Sequence, residues 1–372
     1  MSLVTAPTVD EHTERDKHTE SQTAEQRSPV SFSIIIETEN LASADLPGLF
    51  RGLDALQAQT LSPLQAEDVI LVETGDVPPE LLTRICEEYP WIVTRRIDPE
   101  LEYYQAKMRG VELTTGEVIV LFDSDCLYNA EWLASLLAPF AREDVQMVAG
   151  ETSLKVTGPY DLAMALTYIF PRYTRRDYKA VDPTADIQPT SGYFCNNVAF
   201  KRSLLADFPI PGNLPLYRGN CVIHAHQLAA NQHTIWQQPK SRAFHAPPNG
   251  LSHFVSRFLM LGYDALCVSR FAANPIAQNP NAPVSSDEPA PLRPLRDFAI
   301  AGMLLANKVK TALQRTLLVL KEDLRYALYL PLAVPIVVVA LALYVAGLAL
   351  AYVSPAYWLN NRESLEALLE QS

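Results

Sequence analysis

Gly116-Glu117-Val118-Ile119-Val120-Leu121-Phe122-Asp123-Ser124-Asp125 is the stretch on which the reading of this chain turns. Its apolar run is continuous and too short for a helix, which predicts a strand of a parallel sheet buried on both faces. The run stops on two carboxylates separated by one serine. In open α/β sheets, ligands bind beyond the carboxyl ends of the strands. Two acidic side chains at that edge suit a divalent cation, and the cation in turn suits a diphosphate that carboxylates alone would repel.

Working outward, Ser33-Ile34-Ile35-Ile36 is a short apolar strand that opens onto Glu37-Thr38-Glu39-Asn40, and Val69 to Val72 is a second strand ending in Glu73-Thr74-Gly75-Asp76. Leu46 to Gln59, Pro79 to Glu88 and Tyr103 to Leu113 have helical periodicity, and Ile92 to Arg96 reads as a third strand. Strands and helices therefore alternate up to Asp123, the order of a parallel sheet with right-handed crossovers. No G-x-G-x-x-G follows the first strand, which argues against a dinucleotide-binding fold. Further on, Trp132 to Phe140 is helical, Val145 to Ala149 a strand, and Asp177 to Thr190 a polar loop. His224 and His226 sit in helical surroundings, where an H-x-H pair does not share a face, so no zinc site is expected there.

The formal charge of -12 excludes nucleic acid as the main partner, since phosphate backbones demand a concentrated basic face. Five scattered cysteines with no C-x-x-C spacing point to a reducing compartment. Residues 1–29 are polar, lack the apolar core of a signal peptide and read as a disordered tail. From Tyr326 to Asn361 no residue is charged, and 326–353 is long enough for a transmembrane segment. A buried core helix and a re-entrant hairpin turning near Gly347 are the alternatives. Lys308, Lys310, Arg315, Lys321 and Arg325 precede the segment, whereas Arg362 stands against Glu363, Glu366 and Glu370 after it. That asymmetry predicts a single pass through the cell membrane with the body in the cytoplasm. Phe298 to 320 alternates apolar and basic residues, the pattern of a helix in the headgroup region or of one packed on the body. The division expected is thus a tail (1–29), a catalytic domain (30–250), membrane-proximal helices (251–325) around a Pro-rich loop (272–294), the span (326–353) and a C-terminal tail (354–372).

Taken together, residues 31 to 250 resemble the family 2 glycosyltransferases of the GT-A fold. Ile34 to Asn40 stands in the place of that family's first strand and its Pro-Thr-Tyr-Asn ending, and Glu73-Thr74-Gly75-Asp76 in the place of Asp-Asp-Gly-Ser. Ala106-Lys107-Met108-Arg109-Gly110 resembles the Ala-Arg-Asn-x-Gly helix, Gly116 to Asp125 the strand into Asp-x-Asp, and Asn196 to Arg202 the Asn-x-Ala-x-Arg-Arg segment. The resemblance implies a mostly parallel α/β sheet flanked by helices. It places Glu37, Glu39, Glu73, Lys107 and Asp123 around a UDP- or GDP-sugar, and Asn197 and Arg202 on the acceptor side. Asp125, Asp123 and His245 would hold Mn2+ or Mg2+, although His245 reads equally as a hydrogen-bonded histidine at a strand end.

One departure stands out. Inverting members carry a Glu-Asp pair where this chain has Asn220-Cys221, and neither is a base for a sugar hydroxyl. Asp207 or His224 would then take that role, or the acceptor needs no strong base, or the chain binds a donor without turning it over. The Gln-x-x-Arg-Trp signature of processive synthases is absent. The expectation is a metal-dependent, inverting glycosyltransferase with Asp123, Asp125 and His224 as catalytic residues, moving one sugar to a lipid-linked or cell-envelope glycan acceptor. A non-catalytic nucleotide-sugar binding or scaffold protein of the same fold is the alternative. A sugar-phosphate nucleotidyltransferase would open with a Gly-rich loop, which Ile36 to Asn40 lacks.

Overall fold

The structure, a computed structural model, describes residues 28–37, 46–75, 77–172, 187–272, 293–358 and 360–361. Glu39, most of the N-terminal tail, most of the Pro-rich loop and the end of the C-terminal tail lie outside the described residues. The first half alternates as expected: β1 (Phe32–Glu37), α1 (Leu46–Gln57), β2 (Asp68–Glu73), α2 (Pro79–Glu88), β3 (Val93–Arg96), α3 (Tyr103–Glu112) and β4 (Val118–Asp123). Then come β5 (Cys126–Tyr128), α4 (Trp132–Leu137), β6 (Met147–Ser153), α5 (Pro159–Thr167), β7 (Gln188–Thr190), β8 (Asn197–Lys201), α6 (Arg202–Asp207), α7 (Asn220–Ala230) and β9 (Ile235–His245). Three long helices close the chain: α8 (Gly250–Ala272), α9 (Arg293–Glu322) and α10 (Leu330–Val353).

The sheet runs β3-β2-β1-β4-β8-β6-β9-β5, with β7 on β9. β1, β2, β3 and β4 pair in parallel, and β8 is antiparallel to β4, so the sheet is mixed beyond β4. The polar loop expected at Asp177 to Thr190 is corrected at its end, where Gln188–Thr190 pairs antiparallel with β9. Its three residues carry no apolar alternation, because this edge strand is half exposed and its polar side chains face water.

Alternation along the strands assigns each side chain to a layer. Phe32, Ile34, Ile36, Val118, Val120 and Phe122 pack with α1 and α4 on one face. Ile35, Ile119 and Leu121 point to the other, against Tyr103, Tyr104 and Ala106 of α3. By the same period, Glu37 and Asp123 fall on the α3 side, opposite one another in register. The crossover into β4 needs Gly116: a Cβ there would lie 2.4 Å from the Phe32 carbonyl carbon and 2.5 Å from the Ser33 nitrogen.

α5, α8, α9 and α10 form a further layer. α10 has the length and composition to cross a membrane, with a mean hydropathy of 2.6. Its inward stripe, Ala333, Ala340, Tyr344, Gly347, Leu348 and Ala351, is nevertheless buried against the body. At the seam, glycines bring two helix backbones together: a Cβ on Gly262 would meet the Tyr344 carbonyl oxygen at 2.0 Å, and one on Gly347 the Leu259 carbonyl oxygen at 1.9 Å. α9 is tied down by Arg315, whose guanidinium donates to the carbonyls of Ala165, Tyr168 and Ile169 at the end of α5. Those carbonyls lack helical partners, so a cation is well placed there.

Gly116→Ala is expected to cost on the order of 3 kcal/mol, because the obstruction is backbone that no rotamer change relieves. Gly158, with nothing near its Cβ position, is the control, and Gly158→Ala leaves the unfolding midpoint of the full chain almost unchanged.

Candidate active site at the carboxyl edge of the sheet

Asp123 ends β4 facing α3, and two donors on α3 take both of its oxygens. Tyr103 Oη donates to Oδ2 at 2.7 Å and Lys107 Nζ to Oδ1 at 2.5 Å. Lys107 is fully buried, and Glu37 lies close enough to add to its field. Burial alone would lower the lysine's pKa, yet Asp123 and then Glu37 raise it above its ordinary value. One buried cation thus offsets two carboxylates that the sheet register sets side by side. Asp123, expected to ligate a cation, has each of its oxygens hydrogen-bonded to a donor on α3. The expectation that Lys107 reaches the base or phosphates is corrected, since the side chain has no exposure.

Asp125 lies beyond the strand, in the turn to β5, and faces β9. Pairing of Cys126 with His245 brings the imidazole to it, with Nε2 3.2 Å from Oδ2. Burial would raise the Asp125 carboxyl, but the His245 charge and hydrogen bond, helped by Arg257, hold it well below the usual carboxylate range. Conversely, burial would lower His245, and Asp125 raises it. Asp125, Cys126 and His245 place one ligand atom each within 4.8 Å of one another. Burial keeps the Cys126 thiol protonated, so it is the weakest donor of the three. A carboxylate oxygen and an imidazole nitrogen fit a divalent ion, with positions left for substrate oxygens and water.

Across from Asp125 stands a basic and aromatic wall. Arg257 on α8 donates from Nε to His253 Nε2 at 2.8 Å, a helical i,i+4 pair. Its guanidinium lies 5.1 Å from the Tyr217 ring centre, and Arg218 approaches Tyr217 at 5.1 Å and Tyr103 at 4.1 Å. Burial, reinforced by Arg257, pulls His253 down to about 4, so the imidazole is neutral near pH 7. Arg218 is held by Asp264 of α8, which accepts the backbone N–H of Tyr217 and of Arg218 at 2.7 Å each. Sequence reading missed Arg218, His253, Tyr217 and Asp264 as parts of one site. The available signal was His253 and Arg257 four residues apart on a helix just after the strand-ending His245.

Other expected site residues lie elsewhere. Glu73 ends β2 at the same sheet edge, buried, with Arg96 at 4.0 Å. His224 is corrected as a catalytic base: it is fully buried, with Nδ1 2.6 Å from Tyr193 Oη and Nε2 2.8 Å from the Phe208 carbonyl. Burial lowers it to about 4 and both ring nitrogens are occupied, leaving none for an acceptor hydroxyl. Asn197 is corrected as an acceptor contact, since its amide ties Trp132 Nε1 to the carbonyls of Glu151 and Ser241 in the core. Arg202 is corrected likewise. β8 runs antiparallel to β4, which carries Arg202 to the Gly116 carbonyl at the start of β4 and to Val111 at the end of α3. A cavity bordered by Pro63, Asp68, Trp91 and Arg95 also opens beside the start of β2, away from Asp125 and His245.

Lys107→Met is expected to destabilise the chain by roughly 3–5 kcal/mol, because it leaves Asp123 charged and buried without its partner. Adding Asp123→Asn to Lys107→Met recovers most of that loss, read as the coupling in a double-mutant cycle on the unfolding midpoint. Asp264 supplies a pH test. Burial raises its carboxyl to about 6 against the amide hydrogen bonds, from an ordinary 3.8. A raised folded-state value means that its contribution is fully present below about pH 4 and lost as pH climbs through 6, a change on the order of 3 kcal/mol. Asp264→Asn removes that slope, so the variant gains on wild type in unfolding midpoint between pH 4 and pH 7.

In sequence, residues 33–207 match the model of the family described as glycosyl transferase family 2. No curated protein matches the chain. Among solved structures, the chain is similar to the mannosyltransferase PcManGT from Pyrobaculum calidifontis in complex with GDP-Man and Mn2+, with 17% identity and a TM-score of 0.49, covering 88% of this chain and 89% of that one. It is also similar to GalNAc-T7 with UDP, GalNAc and Mn2+, with 14% identity and a TM-score of 0.46, covering 58% of this chain and 44% of that chain, less than half its length. The likeness to glycosyl transferase family 2 is thus carried by residues 33–207, a little under half of the chain.

Proposed function

We propose that this protein is a membrane-associated glycosyltransferase that moves one sugar from a UDP- or GDP-sugar to a lipid-linked or cell-envelope glycan acceptor. The single observation that carries the reading is the Asp125–His245 pair at the carboxyl edge of β4, with Asp125 inside the stretch that matches family 2 and Arg257 close to both. When bound, a divalent cation would offset the negative charge of the departing nucleoside diphosphate, the Lewis-acid contribution. Asp125 and His245 are the residues that would hold it. Arg218 and Arg257 supply planar, permanently charged donors suited to phosphate oxygens. Glu37, Glu73 and Glu39 belong to the nucleoside side of the same proposal. Lys107 and Asp123 act indirectly, fixing the end of β4 and the Tyr103 ring under Arg218. Inversion at the anomeric carbon belongs to the proposal and is checked by the anomeric coupling of the product in NMR. The Lys and Arg residues ahead of α10 favour the anionic cytoplasmic face of the cell membrane, which completes the proposal.

A second reading, donor binding without turnover, is favoured by one observation. Asn220 and Cys221 are buried at the start of α7, where the resemblance implied an acidic pair, with Asn220 Nδ2 donating to the Pro211 carbonyl. The two readings separate when the full chain is incubated with UDP- and GDP-sugars, Mn2+ and a membrane extract. Transfer predicts cation-dependent nucleotide release that Asp125→Asn lowers by about a hundredfold or more, the scale for losing one preorganised charge stabiliser. Binding of UDP or GDP by calorimetry without release would establish the second reading instead.

A further inference from the structure

We infer that α10 does not cross the bilayer but lies in its plane, and that α9 and α10 together form the face by which the protein sits on an anionic membrane. The inference rests on the membrane association proposed above and specifies its geometry. Both ends of α10 are seated on the catalytic body. Ahead of the helix, Tyr329 Oη donates to the Thr157 carbonyl at 3.4 Å. After it, Tyr263 Oη donates to the Pro355 carbonyl at 2.6 Å, and the Trp358 ring stands 4.7 Å from that of Tyr217. Between the ends, Gly262 and Gly347 bring the backbones of α8 and α10 into contact, and Arg270 links the Ala351 carbonyl to Asp297 of α9. A helix spanning a hydrocarbon core of about 30 Å would carry one of these ends to the far side. Here the chain leaves α10 beside Tyr217, next to Arg218 on the donor side of the cleft.

The outward faces identify the occupant. On α10, Leu332, Val338 and Val353 are exposed, Val353 by 80%, and on α9 so are Phe298, Leu313 and Leu317. Lys310 and Lys321 share that outward arc of α9 and are exposed as well. The acidic residues of the region are each engaged by an arginine: Asp297 by Arg270, Glu322 by Arg172 and Asp323 by Arg325. An apolar face studded with lysines matches the boundary between acyl chains and anionic headgroups, where the lysine stems lie in the apolar layer and their charges reach the phosphates. Seated this way, the mouth of the cleft at Tyr217 and Trp358 opens at the level of the headgroups, within reach of a lipid-borne acceptor.

Side-specific labelling tests the geometry. Asn360→Cys reports the chain after α10, and Ser203→Cys, exposed on α6, reports the body. Both are made in a Cys86→Ser full chain, because the other native thiols are buried. In sealed inside-out membrane vesicles, a membrane-impermeant maleimide is expected to label both cysteines equally from outside. Labelling of Ser203→Cys alone, with Asn360→Cys reacting only after the vesicles are opened, would overturn the in-plane placement and leave membrane association standing. Recovery of the chain in the aqueous fraction as a dimer would overturn both, with a second copy covering the apolar face. Nucleotide release, assayed on the same samples, is independent of each outcome.

Discussion

The buried contact between Lys107 and Asp123 is the constraint around which the catalytic half is arranged. Sheet register sets Glu37 and Asp123 side by side on one face. Two carboxylates in a buried layer repel strongly unless a cation is placed between them. α3 supplies that cation from its interior, together with the Tyr103 hydroxyl, and the helix is thereby fixed against the end of β4. Tyr103 then becomes the floor on which Arg218 rests. Asp123 is thus paired inside the fold with Lys107, whereas Asp125 lies beyond the strand and pairs with His245 at the outer site.

Asp125 and His245 form the outer partner of that pair, and they depend on a different part of the chain. β5 and β9 pair antiparallel, and the register Cys126↔His245 brings the imidazole next to the turn that holds Asp125. α8 follows β9 directly and returns His253, Arg257 and Asp264 to the same edge. Its other face carries Gly262 and Tyr263, on which α10 rests. One helix therefore serves the basic and aromatic wall on one side and the apolar layer on the other. Tyr263 reaches the Pro355 carbonyl and Trp358 packs on Tyr217, so the chain leaving α10 touches the segment that carries Arg218.

Much of the first half was legible because its elements obey simple periods. The apolar run before Asp123, the helices at Pro79 to Glu88 and Tyr103 to Glu112, and the β-α alternation all appear where periodicity places them. The second half was harder to read. β7 has only polar residues and proline, and β9 mixes apolar, polar and basic positions because one part is central and the other near an edge. His224 attracted a catalytic reading because histidine titrates near neutrality. In the fold, burial lowers it to about 4, and Tyr193 and the Phe208 carbonyl occupy its ring. Asn197 and Arg202 matched a family segment in order and spacing, yet spacing along β8 says nothing about which end of β4 an antiparallel neighbour reaches.

The amino-acid order by itself determined the parallel half of the sheet, the acidic ending of its central strand and the long apolar helix near the C-terminus. Each is a local property, fixed by the period of the side chains and the length of the run. Only the tertiary structure decided which partner each carboxylate meets, which histidine faces Asp125, and whether the apolar helix stands free or leans on the body. Those outcomes depend on groups distant in the chain, such as Asp125 with His245 and Tyr217 with Trp358. A charge or an apolar face acquires its role from the neighbour that burial brings to it, and only the assembled fold specifies that neighbour.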